Sequence, residues 1–191
     1  MDKLKSDSLL QDFNIDISSN QENVNIQCNA GFYSVILLPC LEIFRPEAKL
    51  QRNDLNIMLK CIDVTMKKDL DGSIVNNVIF LRVYDARGRQ SLGSITIHLH
   101  HTTRKVQIQG SAIIAGKFTI PVWFVDTILR DQLLAYASKH SYDISNMNSK
   151  IQQLILNKQE SCNLRLCAKC QSQFKRKAEP QTCLVCTQTS K

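Results

Sequence analysis

The stretch SITIHLHHTTRKVQIQG, residues 94–110, constrains the fold more than any other part of the chain. Ile95, Ile97 and Leu99 alternate with Thr96, His98 and His100; after a short turn near Thr102 and Thr103, Val106 and Ile108 alternate with Lys105, Gln107 and Gln109. Successive side chains of a strand point to opposite faces, so this period of two predicts an antiparallel hairpin with one dry and one polar face. A dry face has to be covered, and the cover follows in sequence. From Pro121, the residues Val122, Val125, Ile128, Leu129 and Leu133 recur at helical spacing. Proline suits the first helical turn, where its missing N–H would have no partner in any case.

The same alternation extends upstream. NVIFLRVYD puts Ile79, Leu81 and Val83 on the dry parity and Phe80, Arg82 and Tyr84 on the other. In LNIMLKCIDVTMKK, Leu55, Ile57, Leu59 and Cys61 share one parity, and DLDG then turns the chain with Gly72 where positive φ is cheap. VNIQC alternates from Val24, and FYSVILL reads as a buried strand ending at Pro39, with one helical turn after Pro46. A second helix is expected with Ser145 or Asn146 as its cap and Met147, Ile151, Leu154 and Ile155 as its apolar stripe. The expected class is α+β: a four- to six-stranded, largely antiparallel sheet backed by one or two helices over residues 23–160. Residues 1–22 are polar and acidic and read as a mobile tail, in which SLLQDFNIDI is a stretch that a protein partner could order.

At 191 residues, with 43% hydrophobic and 21% charged side chains, the chain has the composition of one globular domain plus a small satellite. Its apolar runs stay strand-sized, far short of the roughly 20 residues of a membrane span. Asp2, Asp7 and Asp12 interrupt any secretory-signal core. The expectation is an intracellular protein, nuclear or cytoplasmic, with no membrane partner. In a reducing compartment the eight cysteines favour thiolate ligands over disulfides.

Four of them form a C-x2-C-x12-C-x2-C array: Cys167, Cys170, Cys183 and Cys186. Two such turns present four sulfurs to one tetrahedral ion, which predicts a structural Zn2+ with a closed shell and no open position for catalysis. So small a segment has too little apolar surface to fold alone, so the metal would supply its folding energy. The loop inside the clip holds Phe174 beside Lys175, Arg176 and Lys177. Cys162 is a spare thiol, and Cys28, Cys40 and Cys61 read as small core residues. Over about the last 25 residues the array resembles zinc-ribbon and treble-clef modules, and the zinc-binding module is expected over residues 161–191.

Charge is unevenly placed. Residues 1–22 hold two lysines against five acids, a net −3, whereas residues 162–191 hold six basic side chains against one acid, a net +5. A concentrated positive field next to an aromatic ring suits phosphate and base contact; the competing reading is a merely solvated charge run. The polar face of the sheet adds Arg82, Tyr84, His98, His100, Lys105 and Gln107, a mixture of stacking rings, amides and cations that fits nucleic acid. Against it stands a solvated face with Phe80 and Tyr84 tucked under the N-terminal strands.

TTRKVQIQG followed by a helix resembles the hairpin-and-helix end of a TATA-binding-protein-like half, and is similar to a hairpin segment in uncharacterised reading frames of animal mobile elements. That resemblance covers about residues 94–138 and implies an α+β unit with nucleic-acid contact. The chain has a single such half and no pattern of groove-inserting phenylalanine pairs, so DNA bending is not implied.

No Gly-rich phosphate loop, Gly-x-Ser-x-Gly, His-Glu-x-x-His or chelating acid cluster is present in the sequence. The reading is a non-enzymatic, zinc-containing nucleic-acid-binding protein, with DNA and RNA both open. The alternative is a protein-protein adaptor that uses the zinc module and the acidic N-terminus.

Overall fold

The computed structural model describes residues 13–18, 22–52, 56–110, 113–114, 118–141, 148–149, 151–153 and 156–157. Its centre is a seven-stranded sheet in which every neighbouring pair is antiparallel. In chain order the strands are β1 (Asn14–Ile17), β2 (Asn23–Gln27), β3 (Lys49–Arg52), β4 (Ile57–Lys68), β5 (Ile74–Asp85), β6 (Ser91–His100) and β7 (Lys105–Gln109). Across the sheet they run β1-β2-β7-β6-β5-β4-β3. Strands β3 to β7 form a meander, and the β1–β2 hairpin is added along β7.

Two helical segments cover one face. The first, α1 (residues 30–41), links β2 to β3; Asn29 caps it, its Oδ1 accepting from the Phe32 N–H at 2.8 Å. Its middle, Tyr33–Leu37, is a wider π turn, which loosens the hydrogen-bond ladder just before Pro39. After β7 a two-stranded hairpin, β8 (Ile113–Ile114) with β9 (Phe118–Thr119), leads into α2 (residues 120–139). Pro121 lies in the first turn of α2, and Val122, Val125, Ile128, Leu129 and Leu133 are all buried, as the helical spacing predicts. The helices also meet each other: Phe44, just after α1, packs its ring 5.7 Å from that of Phe124 in α2, and Cys40 Sγ donates to the Gln132 carbonyl at 3.6 Å. Arg52 in β3 pairs with Asp131 of α2 at 2.9 Å. The fold is therefore α+β, two layers with the core between sheet and helices.

The strand parities hold across the meander. Ile57, Leu59, Cys61, Ile79, Leu81, Val83, Ile95, Ile97, Leu99, Val106 and Ile108 are all buried on the helix side. Gly72 turns the β4–β5 hairpin at φ 84°.

Three expectations are corrected. FYSVILL is helical, not a strand: its buried residues fall in pairs four apart, Phe32 and Tyr33, Ile36 and Leu37, then Cys40 and Leu41, which is helix periodicity. The sheet has one strand more than the upper expectation. The extra strand comes from within the segment expected to be a tail. Phe13, Ile15 and Ile17 alternate into the core while Asn14 and Asp16 point away, so Asn14–Ile17 pairs with β2 as an edge strand. Of the second expected helix, residues 148–149 and 151–153 are helical and Ile151 is buried, whereas Met147, Leu154 and Ile155 lie outside the described residues. So does the whole 161–191 segment. Among the described residues no helix is long and apolar enough to cross a membrane.

Gly110 follows the end of β7, beside the first turn of α2. A Cβ there would sit 2.6 Å from the Ser94 carbonyl oxygen and 3.5 Å from the Pro121 ring, and the Gly110 N–H donates to Glu22 at 3.0 Å. Backbone cannot yield as a flexible side chain does. Gly110→Ala is expected to cost about 1–3 kcal/mol, read as a lower urea midpoint with an unchanged slope.

Candidate nucleic-acid interface

With both helices on one face, no described element covers the other, whose side chains are mostly polar. Register lines them up in rows that step across the strands at about 4.8 Å. One row runs Asn14, Gln27, Lys105, His100, Asn76, Lys67, from β1 to β4. The next runs Asp16, Asn25, Gln107, His98, Val78, Thr65. A third holds Asn23, Gln109, Thr96, Phe80 and Asp63, and a fourth Ser94, Arg82, Lys60 and Lys49. Tyr84 lies one step beyond, opposite Met58.

The residues expected on this face, Arg82, Tyr84, His98, His100, Lys105 and Gln107, all lie on it, and none is buried. They share a face without sharing one contact. From the Asn76 row to Tyr84 is eight residues along β5, about 26 Å at strand rise. Lys105, His100, His98 and Gln107 gather at one end, Arg82 and Tyr84 at the other, and the half-buried Phe80 ring lies between them. Sequence reading missed Lys49 and Lys60, which join Arg82 in one cationic row, and the amides Asn23, Asn25, Gln27 and Asn76. Period-two parity carried signal for each of them, but the strand order that brings them together is not local information. The Oδ1 atoms of Asn25 and Asn76 are shielded from solvent and have no hydrogen-bond partner among the described residues.

His98 and His100 stack nearly parallel, 11° apart with centroids at 6.2 Å. Burial holds His100 below the usual imidazole range, and the neighbouring His98, Lys105 and His101 lower it further. Its ring is thus a neutral hydrogen-bonding group near neutral pH and becomes a cation only in acid. Among the described residues no group of three or more His, Cys, Asp or Glu side chains is placed to hold a metal. Cys167, Cys170, Cys183 and Cys186, with Phe174, Lys175, Arg176 and Lys177, lie outside the described residues. The three described cysteines are core residues, as expected. Burial pushes Cys28 and Cys40 up to about 12 and raises Cys61, so all three stay protonated thiols.

On the opposite face, where the β4–β5 hairpin outruns the helices, lies an open cleft of about 540 Å³ between Leu41, Phe44, Val64, Met66, Ile79 and Leu99. Glu42, Arg45, Asn77 and His101 are its polar lining. His101 shares a 3.0 Å hydrogen bond through Nδ1 with the Tyr33 hydroxyl but leaves Nε2 buried and unpartnered, and Asn77 Oδ1 is likewise unpartnered. Burial depresses the His101 pKa. A depressed histidine binds its proton more weakly folded than unfolded, so it costs nothing above about pH 6.5. Stability is lost as pH falls from there through the depressed value. The unfolding temperature should therefore drop on acidification from neutral pH, and His101→Gln, which keeps a polar group but cannot titrate, should flatten that drop in a thermal melt series.

No known protein family, curated protein or solved structure matches the chain.

Proposed function

We propose that the protein is a non-enzymatic nucleic-acid-binding protein that lays a strand across the open face of its sheet and grips phosphates with a zinc-clipped basic C-terminus. The observation that carries this reading is the open face itself: cations at both ends, a row of amides and histidines, and the rings of Phe80 and Tyr84, on a sheet whose other face is packed by helices. Rings stack on any base, amides pair with exposed base edges, and cations neutralise phosphate. A pleated platform about 26 Å long suits an extended single strand better than a duplex groove, because unstacked bases can lie on it.

Cys167, Cys170, Cys183 and Cys186 would hold the Zn2+, which would keep Lys175, Arg176 and Lys177 in one cluster beside Phe174. Four thiolates leave no open coordination position, so the metal's work is structural. The apolar cleft favours a second reading, an adaptor that binds a protein. Ionic strength separates the two, since counterion release weakens nucleic-acid binding steeply with salt and an apolar protein contact much less.

The test is fluorescence anisotropy of labelled single-stranded and duplex DNA and RNA oligonucleotides with zinc-loaded protein, over a salt series. Metal content is measured on the same sample. Salt-sensitive binding with one Zn2+ per chain supports the reading; no binding at low salt overturns it in favour of the adaptor.

A further inference from the structure

Strand β4 is twelve residues long, but β3 accompanies only its first third, Ile57–Lys60. The last contact on that side is the Cys61 N–H donating to the Ala48 carbonyl at 2.9 Å. Beyond it a bulge between Cys61 and Asp63 shifts the register, and β4 continues along β5 to Lys68. Among the described residues no strand pairs with the outer side of residues 62–68. Among the described residues this half-strand is thus a sheet edge whose outer backbone groups have no strand partner, a template for another strand.

We propose that the partner is a second copy of the same segment, paired antiparallel about a two-fold axis through Thr65. The faces are set by β5: Val64 and Met66 lie opposite Ile79 and Asn77 on the cleft side, and Asp63, Thr65 and Lys67 lie opposite Phe80, Val78 and Asn76 on the open face. A two-fold at Thr65 sets Asp63 of each copy against Lys67 of the other, and Val64 against Met66. Both unlike charges meet and both apolar pairs meet, twice over. Neighbouring registers lose this. Centring on Val64 sets Asp63 against Thr65 and centring on Met66 sets Lys67 against Thr65, so each leaves a charge without its opposite, and odd registers oppose an apolar side chain to a charged or polar one within residues 63–67; in the Thr65-centred register Ile62 and Lys68 face each other only at the ends. Self-complementarity of one patch is what a closed two-fold dimer requires.

The lysines argue for self-pairing over a foreign strand. Lysine on an edge strand normally repels edge-to-edge pairing, because an apolar newcomer would bury the ammonium unpaired. The chain's own copy brings Asp63 to meet it. Pairing would also cover Met66, which is 59% exposed, and bring the two apolar clefts side by side. The two sheets would join edge to edge with their open faces on the same side.

The experiment is sedimentation velocity on the full chain, from low micromolar concentration upward, with thermal melts to verify folding. The wild type is expected to dimerise reversibly. Lys67→Asp or Asp63→Lys sets like charges opposite each other twice and should weaken dimerisation about tenfold. The double exchange, Asp63→Lys with Lys67→Asp, restores the unlike pairs and should restore the dimer. A wild type that stays monomeric across the range overturns the proposal, as does a folded double variant no better than the singles. Association unaffected by all three variants would place the contact elsewhere and reject it equally.

Discussion

An Arg82→Ala/Lys105→Ala variant is expected to lose at least tenfold in affinity for a single-stranded oligonucleotide at low salt and to show a shallower salt dependence. The two cations stand at opposite ends of the open face, so a strand that spans the sheet meets both, whereas one bound at either end loses a single contact. Each phosphate neutralised contributes about −0.7 to the slope of log affinity against log salt for a single strand, so losing two reduces the slope by about 1.4. Lys175/Arg176/Lys177→Ala is the natural comparison. If the face and the basic cluster hold one strand together, each variant removes part of the slope and their combination removes most of it. Full binding in the sheet variant, with all of the loss in the cluster variant, would relegate the sheet to a scaffold.

Phe124→Ala should have the largest effect on stability. The ring is fully buried in the π turn of α2 and meets Phe44 at 5.7 Å, so it lies where the second helix locks onto the end of the first. Truncating a buried phenylalanine removes its transfer free energy and leaves a cavity that rigid neighbours fill poorly, about 3–5 kcal/mol in all. Domains of this size are stable by about 5–15 kcal/mol, so the variant should sit close to its unfolding midpoint at moderate urea. A loss under about 1 kcal/mol, by urea titration, would mean that the helices re-pack around the gap.

The meander was legible because each strand carries its face in its own sequence. Ile95, Ile97 and Leu99 against Thr96, His98 and His100 need no knowledge of neighbours to be sorted. Helix α2 was legible for the same reason at the helical period. FYSVILL was not, because a short, almost unbroken apolar run has only Ser34 to mark a period, and the pairing of its buried positions emerges only over the longer stretch to Leu41. Strand β1 was masked by composition: Asn14 and Asp16 made a half-buried edge look like part of an acidic tail. For the interface, parity identified the members, but their arrangement depends on β2 lying against β7, a contact between residues about 80 apart in sequence that no local pattern encodes. The same non-locality hid the cleft, whose walls come from α1, β4, β5 and β6.

The three core thiols make the protein its own reporter of breathing. Cys28 lies just past the end of β2, Cys40 joins α1 to α2, and Cys61 sits at the bulge where β3 stops accompanying β4. Each is shielded and kept from ionising, so an alkylating reagent can take it only while its surroundings are open. The three modification rates, resolved by peptide mass, would rank the local opening free energies of a strand end, the helix–helix seam and the bulge without any engineered probe.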